Sequence, residues 1–503
     1  MTASAPARVV IGLDVGTTGV KAVAFGIGSS WDRVSIRDQE HADREPGRHE
    51  QDPASVLAAT AGALADCVAG LGAAEVIGIS VSTAMHGLVA LDGGRRPITP
   101  VLTWADGRAV DEARSLRRSG PADELHATTG APVHPMTPLT KLRWFARHDP
   151  DTWAAARWWV GLKELVLLWL TGELVTELSS ASGTGLLDMA SRSWSPLALG
   201  LCGLDADRLP EILPTTVTLR LASAAAREVG LPAGLAVAVG AGDGPLGNLG
   251  TGAITPGIAG LTLGTSGAVR IAVPEPCVDD RRTLFCYALT DERWVVGGAV
   301  SNGAGALRWA GSSLAPDLAD ADAVLDLASG VPAGSDGLVM LPYLLPERAP
   351  LWDPDLRGAY LGLHGGHTRG HLVRAMVEGV CLQLRLVLDG LAAVEPVTAV
   401  RATGGAFGAP LWREVMAAVI GRPLHVMEGS EGTARGAAAL GLVALGAADT
   451  LEAGLALLSD DDAAPPAPVE TDPATVEAYD RLRESLPALV ADLTRIAAAH
   501  DPT

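Results

Sequence analysis

Lysine is nearly absent from this chain. Lys21, Lys141 and Lys163 are the only three among 38 basic residues. Almost every positive charge is therefore a planar guanidinium, and each lysine marks either a place that wants a compact ammonium or a chance survivor. Positive charge is also short overall: 38 Lys and Arg against 58 Asp and Glu leave a net charge of -20. Nucleic acid and anionic membranes both require a basic face, so neither is an expected partner. The same field opposes anionic small substrates at long range. A site for one must build its own positive field from backbone N–H groups, Arg, Lys or a metal ion. No charged-then-apolar leader precedes the first strand-like run, Val9 to Leu13, and Leu165–Leu170 is apolar but short. A signal peptide and a membrane span of ~20 apolar residues are thus not expected. Cys67, Cys202, Cys277, Cys286 and Cys381 are scattered, odd in number and without CxxC spacing. That pattern argues against a disulfide framework or a thiolate metal site and fits a cytoplasmic chain with buried free thiols.

The 503 residues exceed one ordinary core, and 48% apolar with 19% charged residues is a globular composition. Strand and helix signals alternate. Val9–Leu13 and Lys21–Phe25 flank a Gly-Thr-Thr-Gly turn, and strands are expected at Val76–Ser82, Ala236–Gly240, Ile258–Leu263, Gly267–Val273, Trp294–Gly298 and Val397–Ala402. Helices are expected at Pro53–Leu71, Gly161–Leu170, His371–Leu391, Leu411–Ile420 and Ala434–Leu445. Such alternation implies an α/β protein. Leu13–Lys21 is echoed by Leu261–Arg270, each a strand, a Gly-Thr-(Thr/Ser)-Gly turn and a strand. The echo suggests two domains of related build, which we place at residues 1–250 and 251–450. Residues 451–503 form an acidic, Pro-rich linker, Asp460–Pro473, and a terminal helix, Ala474–Ala499. Gly247, Gly250 and Gly252 cluster where a hinge between domains would fall.

The turns carry the chemistry. Asp14-Val-Gly16-Thr17-Thr18-Gly19-Val-Lys21 offers successive N–H groups and hydroxyls as an anion-binding concavity suited to phosphate, with Asp14 placed to hold Mg²⁺ or its waters. The plainer alternative is a tight turn with a surface Asp. The second hairpin, Gly264-Thr265-Ser266-Gly267, raises the phosphate reading. Asp243 stands among glycines directly after an apolar strand. It is either a carboxylate that accepts a proton in phosphoryl transfer or an N-cap. Gly-rich stretches at Gly297–Gly305, including Gly303, and at Gly404-Gly405 pass a nucleotide or serve tight packing. Met85-His86 and Trp104-Ala-Asp106-Gly-Arg108 follow strands; their side chains stack on or bond a polyol, or pack in the core.

These residues together resemble the FGGY carbohydrate kinases, in the superfamily that includes hexokinase and actin. The resemblance covers residues 9–445 and is carried by Leu13–Lys21, Gly242-Asp243-Gly244, Gly264–Gly267, Glu347–Pro354 and Gly366–Gly379. It implies two actin-like (ribonuclease H-like) domains, mixed sheets flanked by helices, around a central cleft. ATP and Mg²⁺ would be the cofactors and the sugar the acceptor. Asp243 matches the family's base, and Asp14 with Asp243 the metal side. Asp14, Gly16, Thr17, Thr18 and Lys21 match the first phosphate loop. Gly264, Thr265 and Ser266 match the second, with Gly303, Gly404 and Gly405 on the nucleotide side. Met85, His86, Trp104, Asp106 and Arg108 fall on the sugar side, with His134, Lys141 and Arg348 as further sugar contacts.

Within the family, Ala84-Met85-His86, Thr103–Ala109 and Gly130–Lys141 are most similar to gluconate kinases. A xylulose kinase typically has Gln where Ala84 stands, although Gly87 agrees with that pattern. The main expectation is phosphorylation of D-gluconate to 6-phosphogluconate. The alternatives are a xylulose or other ketose kinase and, from another class, a non-catalytic actin-like nucleotide switch. His86 and Arg108 are expected to pair the sugar acid's carboxylate. The expected partners are a sugar acid and ATP, with a homodimer as the protein assembly to consider.

Overall fold

Val9, Val10, Ile11, Leu13 and Val15 are all buried along one strand, Arg8–Val15. A strand enclosed on both faces belongs in the middle of a sheet covered by helices on both sides. The computed structural model describes residues 7–39, 47–318, 320–427, 431–459 and 466–500, with side chains through 496. It places this strand inside a six-stranded sheet. Across that sheet the order is Thr218–Arg220, Ala236–Gly242, Glu75–Thr83, Arg8–Val15, Gly19–Gly26 and Asp32–Asp38. Arg8–Val15 pairs antiparallel with Gly19–Gly26, which pairs antiparallel with Asp32–Asp38. On its other side it runs parallel to Glu75–Thr83, and that strand parallel to Ala236–Gly242.

The second sheet repeats this plan. Its order is Phe285–Thr290, Arg293–Val300, Gly267–Val273, Ile258–Leu263, Ala399–Thr403 and Leu424–Val426. Ile258–Leu263 takes the central place, with an antiparallel meander on one side and two parallel strands on the other. The echo between Leu13–Lys21 and Leu261–Arg270 is thus the same hairpin in two copies of one topology. This is the pair of ribonuclease H-like domains with mixed sheets that the resemblance implied. The long helix Arg369–Val394 buries Val373, Met376, Val377 and Val380 in the core shared with the second sheet. The terminal helix Pro473–His500 docks through Tyr479, whose hydroxyl donates to Glu378 Oε1 at 2.7 Å. Most of the polar leader and residues 460–465 of the Pro-rich segment lie outside the described residues.

One helix crosses between the halves. Gly432–Ala444 follows the last strand of the second sheet yet lies on the first sheet, sharing a core with Val10, Val23, Phe25, Leu246 and Leu249. The approach is backbone to backbone. A Cβ on Gly12 would stand 2.0 Å from Ala434 O, and one on Gly250 would stand 1.7 Å from Gly432 O. The run of Ala and Gly in this helix, and part of the glycine cluster near residue 250, are therefore packing requirements.

Candidate active site

The strand Ala236–Gly242 slips register against Glu75–Thr83 between Ala238 and Ala241. Gly240 permits the bulge: its φ is 72°, and a Cβ there would collide with Val81 O at 2.0 Å. A bulge turns carbonyls out of the ladder, and buried carbonyls need partners. Lys163, 1% exposed, supplies them. Its Nζ donates to Val239 O at 2.9 Å, to Ala241 O at 3.0 Å and to Val81 O. Three converging carbonyls suit the three tetrahedral donors of an ammonium and not a flat guanidinium. Glu177 balances the charge 3.7 Å away and is itself held by the Ser180 N–H at 3.0 Å. The hydroxyl of neighbouring Ser179 accepts from Gly242 N at 3.1 Å. Lys163→Met would leave the carbonyls and Glu177 buried without their partner, a loss on the order of 3–5 kcal/mol. A clear fall in the urea midpoint is expected, and an unchanged midpoint would refute this account.

This frame ends on Asp243, the first residue of the helix Asp243–Gly250. Asp243 Oδ1 accepts from Gly244 N at 2.8 Å and Met85 N at 3.3 Å, while Oδ2 makes no such bond among the described residues. Asp14 ends the central strand nearby and accepts from Ser82 Oγ at 2.9 Å. Burial, then the charge of Asp243, push the Asp14 carboxyl up to about 6. Burial also raises Asp243, against the pull of Arg270. Two buried carboxylates that repel one another fit a divalent cation between them. Among the described residues no group of three or more His, Cys, Asp or Glu could hold a metal. A cation here would take the rest of its shell from water and ligand oxygens, as Mg²⁺ does.

The first Gly-Thr hairpin follows Asp14 directly in the chain, and the second holds the matching place in the other sheet. In the first, Gly16 N donates to Gly19 O at 3.0 Å, and the Thr17 carbonyl is held by Gln51 Nε2 at 3.0 Å. Lys21, on the following strand, lies 3.2 Å from Glu431 of the second half. In the second, Gly264 N donates to Ser266 O at 2.9 Å, and Gly303 N and Gly305 N both donate to Thr265 O at 3.1 Å. Gly404, at φ 121°, lies so close to Leu263 that a Cβ would stand 2.1 Å from its carbonyl. Gly264, Thr265, Ala304, Gly305 and Gly405 line one cavity of about 800 Å³, and a Cβ on Gly264 or Gly405 would meet nothing within 4 Å. Glycine faces open onto a cavity of nucleotide size.

The other expected contacts divide into those at the cleft and those behind it. His86, at φ 66°, gives its Nδ1 proton to Gly183 O at 2.7 Å, which leaves Nε2 as a lone-pair acceptor. Burial holds its pKa down at about 3. Neutral, with its one N–H spent on Gly183, it offers no donor to a carboxylate, contrary to the expectation that it pairs one. Arg108 is likewise engaged elsewhere. Its Nε donates to Asp106 Oδ1 at 2.7 Å, an Nη2 bond reaches Glu50, and the guanidinium stands 5.1 Å from the Trp144 ring centroid. Asp106, 1% exposed, also accepts from His49 N at 3.1 Å, so this pair braces a loop. Lys141, fully buried, donates to His86 O at 2.9 Å and Thr103 O at 2.6 Å. It ties the two turns that present His86 and Trp104. Burial lowers its pKa to about 7. Arg348 reaches from the second half and stacks 4.5 Å from the Trp104 ring centroid. His134 packs edge-on to Trp352, its Nδ1 accepting from Met136 N at 3.2 Å. Met85 contributes its backbone N–H to Asp243.

Sequence reasoning missed Arg270 and Tyr287. Arg270 stands beside Asp243, and Tyr287, 2% exposed, packs edge-on to His86 with ring centroids 5.5 Å apart. The only signal was the echo itself, in which Arg270 falls one residue beyond the place of Lys21.

Residues 9–250 match the model for the FGGY family of carbohydrate kinases, N-terminal domain, and residues 259–445 the C-terminal domain. The gluconokinase of Bacillus subtilis (strain 168) is 36% identical over 458 residues, 88% of this chain and 89% of that protein. The xylulose kinase of Escherichia coli (strain K12) is 30% identical over 441 residues, 86% of this chain and 90% of that protein. The crystal structure of gluconate kinase from Lactobacillus acidophilus superposes with a TM-score of 0.90 at 29% identity, covering 98% of this chain and 99% of that one.

Proposed function

The chain belongs to the FGGY family of carbohydrate kinases, which use ATP as phosphate donor, and on that footing we propose that its acceptor is a sugar acid, D-gluconate, converted to 6-phosphogluconate. The observation that carries the reading is Asp243, pinned by two N–H groups on Oδ1 with Oδ2 left unbonded among the described residues, beside Asp14 and the turn that carries Met85 and His86. Oδ2 takes the proton of the terminal hydroxyl as its oxygen attacks the γ-phosphorus of ATP. The new O–P bond forms, the bond to ADP breaks, and ADP leaves with the β–γ bridging oxygen. Neutral His86 accepts from a sugar hydroxyl through Nε2. The N–H groups of the two hairpins hold the phosphates, so that the reacting groups meet in line. Asp14 with Asp243 would hold Mg²⁺, which supplies charge neutralisation to the phosphates. Membership of a kinase family sets aside the non-catalytic switch. We place the protein in the cytoplasm, where its five free thiols stay reduced.

The gluconate assignment is supported by the gluconokinase relative and by Ala84 in place of the Gln typical of xylulose kinases. Gly87 and the xylulose kinase relative favour the second reading, a ketose acceptor. A substrate panel decides between them. The kcat/KM for gluconate is expected to exceed that for D-xylulose and glycerol by about tenfold or more. A preference for D-xylulose would replace the acid by a ketose and leave the phosphoryl-transfer chemistry in place.

A further inference from the structure

In a chain of net charge -20, a site for an acid needs its own cations. His86 is neutral and Arg108 is bound to carboxylates of its own loop, so the expected donors do not supply them. Two guanidiniums of the second domain do. Arg348, 8% exposed, is anchored by Nε to Ser301 Oγ at 3.2 Å and Nη2 to Val300 O at 3.0 Å. Arg270 rises from the strand Gly267–Val273 over Gly297, where a Cβ would stand 2.7 Å from its Cγ. Its guanidinium reaches the helix start beside Asp243, and a Cβ on Gly244 would stand 3.5 Å from Nη2.

Arg270, half-buried, feels the charge of Asp243 but makes no direct bond to it. Its Nε is enclosed without a hydrogen-bond partner, and no hydrogen bond or ion pair engages it among the described residues. Arg374 and Arg385, by contrast, each hold a carboxylate at 2.9 Å. The hydroxyl of Tyr287 is enclosed and unpartnered as well. An enclosed guanidinium N–H and an enclosed phenol hydroxyl left without hydrogen bonds are costly unless a ligand completes them. The hairpin cavity is lined by Gly264, Thr265 and Gly405, whereas Tyr287 touches His86. The unmet donors therefore lie on the side of His86 and outside the lining of the hairpin cavity.

We propose that Arg270 and the Tyr287 hydroxyl receive the carboxylate of the acceptor substrate, so that the second domain reads the acid group while the first domain holds the hydroxyl chain. This rests on the sugar-acid reading above and adds to it the residues that make it selective for acids. It also makes the substrate a bridge between domains. A neutral polyol of the same length leaves Arg270 unpaired and favours closure less.

The test compares gluconate with D-glucitol, its neutral counterpart, by calorimetric binding, and with D-xylulose by turnover. The unmodified protein should bind gluconate more tightly than D-glucitol. Arg270→Met should raise the KM and Kd for gluconate roughly 10- to 100-fold, the worth of one charge-assisted hydrogen bond, and remove the preference over D-glucitol. Tyr287→Phe should do the same to a smaller extent. Arg270→Lys keeps the charge, should restore part of the preference, and guards against a Met variant that does not fold. Equal losses on gluconate and D-xylulose, or a fall in kcat alone, would overturn the proposal, because they mark a group acting on the phosphoryl transfer. A wild-type preference for D-xylulose would instead overturn the sugar-acid reading, and this proposal with it.

Discussion

Asp243→Asn is expected to lower turnover by about 10²–10⁴-fold while ATP affinity stays within a few-fold of the unmodified protein. Asn keeps the oxygen that accepts from Gly244 N and Met85 N, so the helix start is retained. What it loses is the second oxygen as proton acceptor. Turnover within a few-fold of the original would remove Asp243 from the chemistry. The pH profile adds a second reading. Asp243 must be ionised to act, and its pKa is raised by burial. The acid limb of kcat/KM should thus lie above the usual carboxylate range, with rate lost as pH falls through it. Stability runs the other way. Asp14 is raised in the fold to about 6 from 3.8, so its contribution to stability is full below about 3.8 and is lost as pH rises through 6. Removing the charge of Asp243 relieves part of that burden. The Asn variant should melt no lower than the unmodified protein at pH 7, which separates lost chemistry from lost structure.

Gly264→Val is expected to weaken ATP binding by about 100-fold or more with the fold intact. A Cβ there meets nothing within 4 Å, so the substitution starts from open space. The branched side chain projects into the cavity of about 800 Å³, where a phosphate must approach the backbone. Each charge-assisted N–H bond to phosphate is worth about 1.5–3 kcal/mol, and displacing the phosphate forfeits more than one. Circular dichroism and the urea midpoint should be unchanged. A variant that is normal in both and still binds ATP as before would refute the assignment of this hairpin to the nucleotide.

The hairpins and Asp243 were legible because their signals are local: glycines and threonines in a short turn, an Asp at a strand end. The frame behind them was not. Lys163 meets carbonyls 76 to 82 residues away, and carbonyl targets leave no mark in side-chain sequence. The scarcity of lysine pointed to the right positions. Lys141 and Lys163 do what an ammonium does and an arginine cannot, but they do it for the backbone and not for a ligand. His86 and Arg108 were read as free donors because sequence does not show that a Gly183 carbonyl fixes one tautomer or that Asp106 and Glu50 consume a guanidinium. The strand Asp32–Asp38 escaped notice because it is an edge strand with charged, exposed residues and so lacks an apolar alternation. Arg270 and Tyr287 escaped because they occupy ordinary strand positions, where an unmet hydrogen-bonding group becomes visible only once its surroundings are known.

The helix Gly432–Ala444 has a consequence for how the chain is made. The first sheet is complete in sequence by Gly242, yet the surface around Val10 and Gly12 is roofed by residues that leave the ribosome almost two hundred positions later. At about 5–20 residues per second that interval is on the order of 10–40 s, during which an apolar sheet face waits bare. A polypeptide halted before Gly432 keeps it bare permanently. The two halves are thus joined in biogenesis as well as in the folded protein.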